Sequence, residues 1–132
     1  METIINLIIK GSNIMPPGHI LRSFAERFGE SINTEWFIED EIYEAVFYLA
    51  EIEHIARFNA FGELLDTKTN LPLHLIKPPH AAEAAKVGEL MNLIEINRNG
   101  QLFYELIARD KALIRYYLYL DEAGNLLEKR KL

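Results

Sequence analysis

The sequence predicts an α+β fold in which a helix followed by an antiparallel β-meander occurs twice, with the helices packed on one face of an antiparallel sheet. Three observations lead there. First, Phe58-Asn59-Ala60-Phe61-Gly62-Glu63-Leu64-Leu65-Asp66 returns 62 positions later as Leu120-Asp121-Glu122-Ala123-Gly124-Asn125-Leu126-Leu127-Glu128, and Ile42-Tyr43-Glu44-Ala45 returns at an offset of 61 as Phe103-Tyr104-Glu105-Leu106. A one-residue change between the two offsets is what an insertion in a hairpin produces. Second, the apolar period changes from helical to two after Gly29. Third, Asn99-Gly100 is the dipeptide that best specifies a tight hairpin. With 132 residues, 49% of them hydrophobic, the chain can bury one substantial core. The expectation is a single domain over 1–132, built of repeats at about 16–70 and 71–132 after an N-terminal extension at 1–15.

Within the extension, the apolar run at 3–9 reads as a buried strand or one turn of helix, and Gly11-Ser12-Asn13 breaks it. Pro16-Pro17-Gly18 opens a helix, since proline is tolerated where the backbone N–H lacks a partner anyway. Ile20, Leu21, Phe24, Ala25 and Phe28 form its apolar stripe, Arg22, Glu26 and Arg27 the other face, and Gly29 the stop. Strands follow at Asn33–Ile38, Glu41–Ala50 and Glu53–Phe61, with turns at Glu39-Asp40 and Ala50-Glu51 and a short fourth strand at Glu63–Asp66. Thr67–Asn70 reads as a polar link. A second helix is expected from about Pro79 to Gly88, interrupted by Pro78-Pro79. Strands are then expected at Leu90–Asn97, Gln101–Arg109, Leu113–Asp121 and Asn125–Lys131.

Composition removes several kinds of chemistry. The chain has no cysteine, which excludes disulfides, thiolate metal sites and cysteine nucleophiles. Fourteen Lys and Arg against 20 Asp and Glu leave a net charge of −6, which argues against binding a nucleic-acid backbone. The one dense basic run, Lys129-Arg130-Lys131, reads as a solvated strand end. His19, His54, His74 and His80 have no metal-ligand spacing, and the acidic stretches at Glu39-Asp40-Glu41 and Glu51 with Glu53 lack the glycine turn and alternating ligands of a calcium loop; Asp121-Glu122-Ala123-Gly124-Asn125 comes closer, but its role as a turn explains it fully. No nucleophile elbow, phosphate loop or paired acid and base is present, so no enzyme activity and no cofactor are expected. The apolar run at 3–9 is too short to span a membrane and lacks the charge and cleavage pattern of a signal peptide. With Met1 as the native start the chain is expected in the cytoplasm; a removed leader would make it periplasmic.

The candidate site is the sheet face turned away from the helices. Alternation places Tyr43, Phe47, Tyr104, Leu106, Ile114, Tyr116 and Leu118 toward the helices. It leaves Glu44, Val46, Tyr48, Ile55, Arg57, Phe103, Glu105, Ile107, Arg115, Tyr117 and Tyr119 on the outer face. Tyr and Arg are enriched at binding hot spots because they bury area while keeping polar handles. Glu44, Tyr48, Arg57, Phe103, Glu105, Arg115, Tyr117 and Tyr119 are therefore the partner-binding candidates, with an unidentified protein as partner. The alternatives are ion pairs of Arg115 with Glu105 and Arg57 with Glu44 on a solvated face, a face covered by the N-terminal run or by a second copy of the chain, and a site for a small ligand or divalent ion. Replacing Arg115 and Tyr117 together is expected to leave stability nearly unchanged.

Pro17-x-x-Ile20-x-x-x-Phe24-x-x-x-Phe28, Glu35-Trp36, Tyr43-Glu44-Ala45-x-Phe47 and Gly62-Glu63-Leu64-Leu65 together resemble the PepSY-like proteins, whose fold is shared with the proteinaceous β-lactamase inhibitors. The likeness covers about residues 16–132. It implies a helix followed by a strand meander, usually duplicated, in a non-enzymatic binding or inhibitory module, and most members are exported. The second copy lacks the Glu-Trp pair.

Overall fold

The computed structural model describes residues 14–29 and 33–132, so the apolar run at 3–9 lies outside the described residues. The elements are α1 (Gly18–Phe28), β1 (Glu35–Glu39), β2 (Ile42–Leu49), β3 (Ile52–Phe58), β4 (Leu64–Asn70), a 3₁₀ turn (Leu73–Leu75), α2 (Pro78–Val87), β5 (Glu89–Arg98), β6 (Gln101–Arg109), β7 (Arg115–Asp121) and β8 (Leu126–Lys131). The strands form an eight-stranded antiparallel sheet in chain order, giving an α+β fold. The chain divides into two compact units between Thr67 and Lys68.

In the first unit, α1 starts where Pro17 leaves extended backbone, and its first turn closes by N–H bonds from Ile20 and Leu21 to the Pro17 carbonyl. Gly29 stops it at φ 77°, donating its N–H to the Ala25 carbonyl at 2.8 Å. The predicted stripe holds except at Ala25, which is exposed. Ile20 and Phe24 are buried against Trp36, Ala45, Phe47, Ala56 and Phe58. Phe24 meets Trp36 at 5.4 Å and Phe47 at 5.0 Å, both edge to face, the arrangement ring quadrupoles favour.

The first two hairpins of this unit turn on two consecutive residues of positive φ, Asp40-Glu41 and Ala50-Glu51, the same geometry that Asn99-Gly100 adopts. The first turn therefore sits one residue later than the pattern indicates. Thr67–Asn70 is not a link but the end of β4, because Asp66 and Lys68 are buried and ion-paired there.

In the second unit, Pro78 and Pro79 begin α2 instead of interrupting it. They occupy its first two positions, where no N–H is required, and Gly88 ends the helix with an N–H bond to Ala84. Ala84 packs on Leu93, Tyr104, Leu106, Ala108, Leu118 and Leu120. Strand β7 starts at Arg115, later than expected, because Asp110 accepts N–H bonds from Ala112 and Ile114 and holds residues up to Ile114 in a loop. The β5–β6 register shifts between Leu90 and Asn92, a bulge without an advance signal.

Candidate binding face

Each helix docks through a histidine to the turn before the last strand of its unit. His19 Nε2 donates to the Ala60 carbonyl at 2.8 Å, and His80 Nε2 donates to the Asp121 carbonyl at 2.9 Å, each across 41 residues. The turns themselves are built alike. Asn59 Oδ1 accepts from the N–H of Phe61 and Glu63, and Asp121 Oδ1 accepts from the N–H of Asn125. These bonds to Asn125 hold the Asp121 carboxyl below its usual value, the side-chain bond contributing most. The repeated segments around Asn59 and Asp121 are thus the ones that close a turn and seat a helix.

On the outer face of the first unit, Phe37, Val46 and Ile55 form a buried cluster, with Glu44 buried beside them in register opposite Arg57. The guanidinium of Arg57 donates to Asp66 Oδ2 at 2.9 Å. Tyr48 is 58% exposed and donates its hydroxyl to Glu53 Oε2. Burial raises the Glu53 carboxyl above the ordinary range, opposed by that hydrogen bond; the charge of Glu53 in turn raises the Tyr48 hydroxyl.

On the second unit's outer face, Glu105 is buried on β6 and opposes Tyr119 on β7. It accepts from the Tyr117 hydroxyl at 2.6 Å and lies 3.4 Å from Lys68 Nζ, itself buried. Arg115 lies in register opposite Arg109, not Glu105, and the expected Arg115–Glu105 pairing is replaced by Lys68 and Tyr117. The Tyr117 hydroxyl is pushed far above the ordinary tyrosine range, by burial first and then by Glu105. Beside this buried group, Phe103 and Tyr119 stack at 5.6 Å and 17°. The Arg98 guanidinium lies over both rings and donates to the Tyr119 hydroxyl at 2.6 Å.

The eight partner-binding candidates therefore fall into three groups. Glu44, Glu105 and Tyr117 are buried; Arg57, Phe103 and Tyr119 are half-buried; Tyr48 and Arg115 are exposed. Tyr117 is thus a structural support, and replacing it will not leave stability unchanged. Lys68, Asp66 and Arg98 were not singled out by the sequence. Arg98 could have been found by its place before Asn99-Gly100, which sets it at a hairpin end facing Phe103 and Tyr119. Among the described residues, no group of three or more His, Asp or Glu is placed to hold a metal ion, and no helix is long and apolar enough to cross a membrane.

The chain is similar to several solved structures. A DUF2874 family protein from Bacteroides ovatus matches with 21% identity and a TM-score of 0.79, over 89% of each chain. A BLIP-like protein from Bacteroides fragilis matches with 15% identity and a TM-score of 0.74, over 90% of this chain and 88% of that one. A protein of Bacteroides eggerthii provisionally assigned to the periplasm matches with 13% identity and a TM-score of 0.79, over 89% and 90%. At these identities the likeness shows the fold, which is BLIP-like. No family model matches the chain, and no curated protein does.

Proposed function

We propose that this chain is a non-enzymatic binding module that engages a protein through the outer sheet face of its second unit. The contact residues are Arg98, Phe103, Arg115 and Tyr119, and the buried Glu105, Tyr117 and Lys68 hold them in place. The observation that carries this reading is the stacked Phe103–Tyr119 pair under Arg98, an aromatic and guanidinium surface already ordered before any partner arrives. Preorganisation lowers the entropy cost of binding, and buried polar supports keep the side chains in one arrangement. The two units read as copies of one supersecondary element, supported by the paired histidine-to-turn bonds at equal separation. The likeness to a BLIP-like protein and to one provisionally assigned to the periplasm supports a binding role and the periplasmic placement over the cytoplasmic one.

The test compares wild type with an Arg98→Ala, Phe103→Ala variant of equal melting temperature, both immobilised and exposed to extract of the source cells. A protein retained by the wild type and lost by the variant is the expected result. Equal retention by both, or nothing retained by either, removes this face from the function.

A further inference from the structure

Strand β8 is the last in the strand order, so among the described residues no strand lies on its other side, and all six of its residues are exposed. Its backbone register shows which groups face that open edge. The N–H of Leu132 bonds to the Arg115 carbonyl, so this pair exchanges hydrogen bonds, and by alternation Tyr117/Arg130 and Tyr119/Glu128 do too. Lys129 and Lys131 then point their N–H and C=O groups away from β7.

Lysines on an edge strand ordinarily block further pairing. Here the Lys129 ammonium lies over the Tyr116 ring at 5.3 Å, and the Arg130 guanidinium lies over the Tyr117 ring at 4.5 Å. These cations are drawn back over β7, one on each face of the sheet, and among the described residues no strand covers the edge.

We propose that the outer edge of β8 is a docking site for an extended acidic segment of a partner protein, which adds to the sheet as a further strand. Charge complementarity selects this occupant. Lys129, Arg130 and Lys131 face one carboxylate, Glu128, already bridged to Arg130 at 3.1 Å. An added strand presents side chains alternately to the two faces and meets a cation on each: Lys129 and Lys131 on the helix side, Arg130 on the outer side. The surrounding unit has ten Lys and Arg against eight Asp and Glu, net +2, in a chain of net charge −6. A second copy pairing antiparallel through β8 about Arg130 would set Arg130 against Arg130 and each Lys129 against Lys131, and pairing about Lys129 would set the two Lys129 side chains against each other while Arg130, already bridged to its own Glu128, meets the Glu128 of the other copy. This edge is distinct from the Arg98–Phe103 surface and does not rest on it.

The experiment titrates the full chain into a fluorescent peptide alternating glutamate with threonine, and into the same peptide with lysine for glutamate. The glutamate peptide is expected to bind, to weaken with added salt and to slow amide exchange at Lys129 and Lys131, and the lysine peptide to stay free. Lys129→Pro removes one outward N–H and none of the inward bonds, and should weaken binding about fivefold beyond Lys129→Ala, the effect of one hydrogen bond. A Lys129→Glu, Lys131→Glu variant tests the charge without altering the backbone and is expected to abolish binding. The Arg98→Ala, Phe103→Ala variant should keep the peptide affinity within about twofold, which separates this site from the proposed face. Equal binding of both peptides, no binding, or protection elsewhere overturns the proposal. So does a concentration-dependent dimer whose Lys129 and Lys131 amides are protected without peptide, which assigns the edge to a second copy.

Discussion

Glu105 is a carboxylate out of water, and its neighbours decide what that costs. Tyr117 and Lys68 supply the donors. Removing one partner of a buried pair leaves an uncompensated charge, so Lys68→Met is expected to lower unfolding free energy by about 3–5 kcal/mol. Tyr117→Phe removes a single hydrogen bond to a charged group and should cost about 1–3 kcal/mol. Urea titration of both variants and of the double variant with Glu105→Gln checks this; an unchanged midpoint for Lys68→Met would show that Glu105 is satisfied without it. His54 offers a pH test. Its ring stacks on Phe47 at 5.6 Å, and burial lowers its affinity for a proton. The stability it contributes is fully present above the ordinary histidine value of about 6.5 and is lost as pH falls from there through the depressed folded value. Its neighbour Glu53 works the other way: its folded value is raised, so its contribution is present below the ordinary carboxylate value and lost as pH rises through the folded one. Melting temperature followed from pH 8 downward should fall less steeply in His54→Asn and, at lower pH, shift separately in Glu53→Gln.

Turns are where the elements hold their strain. Ala50 and Glu51 both sit at positive φ, at 50° and 66°, which costs an ordinary side chain about 1 kcal/mol or more at each position. Ala50→Asn with Glu51→Gly installs the residues that this turn prefers and should raise stability by about 1–2 kcal/mol in a thermal melt. The opposite is expected at Gly124. Its φ is 95°, and an added Cβ would lie 2.5 Å from Pro79 Cβ, where the repeated turn meets the start of α2. Gly124→Ala should destabilise by about 1–3 kcal/mol, read from the same melts. The helices were legible because their apolar stripes follow the 3.6-residue period, as Ile20 and Phe24 do. The double proline was legible as a breaker but not as a start, because its effect depends on whether a helix lies before it or after it. The polar letters of Thr67–Asn70 hid a strand, since β4 is defined by its ion-paired and hydrogen-bonded neighbours and not by an apolar run of its own.

At the scale of the whole molecule, charge is divided between the units. Residues 1–67 carry four Lys and Arg against twelve Asp and Glu, net −8, whereas residues 68–132 carry net +2. A partner recognised by the second unit is therefore expected to be acidic, and association should slow as salt rises, which stopped-flow measurements over an ionic-strength series would show. Salt-independent association would exclude electrostatic steering by this unit. The sequence by itself determined the α+β class, the position of both helices, the faces of β2, β6 and β7, and the repeated turn, because helical and two-residue periods and turn chemistry act between residues close in the chain. Which outer-face residues are buried, and with whom, only the tertiary structure decided. Alternation puts Glu105, Tyr117 and Tyr119 on one face equally. Burial of the first two depends on Lys68, 37 residues away from Glu105, and on the strands that flank them. Solvent exclusion is a property of neighbours brought together by folding, and no local pattern encodes it.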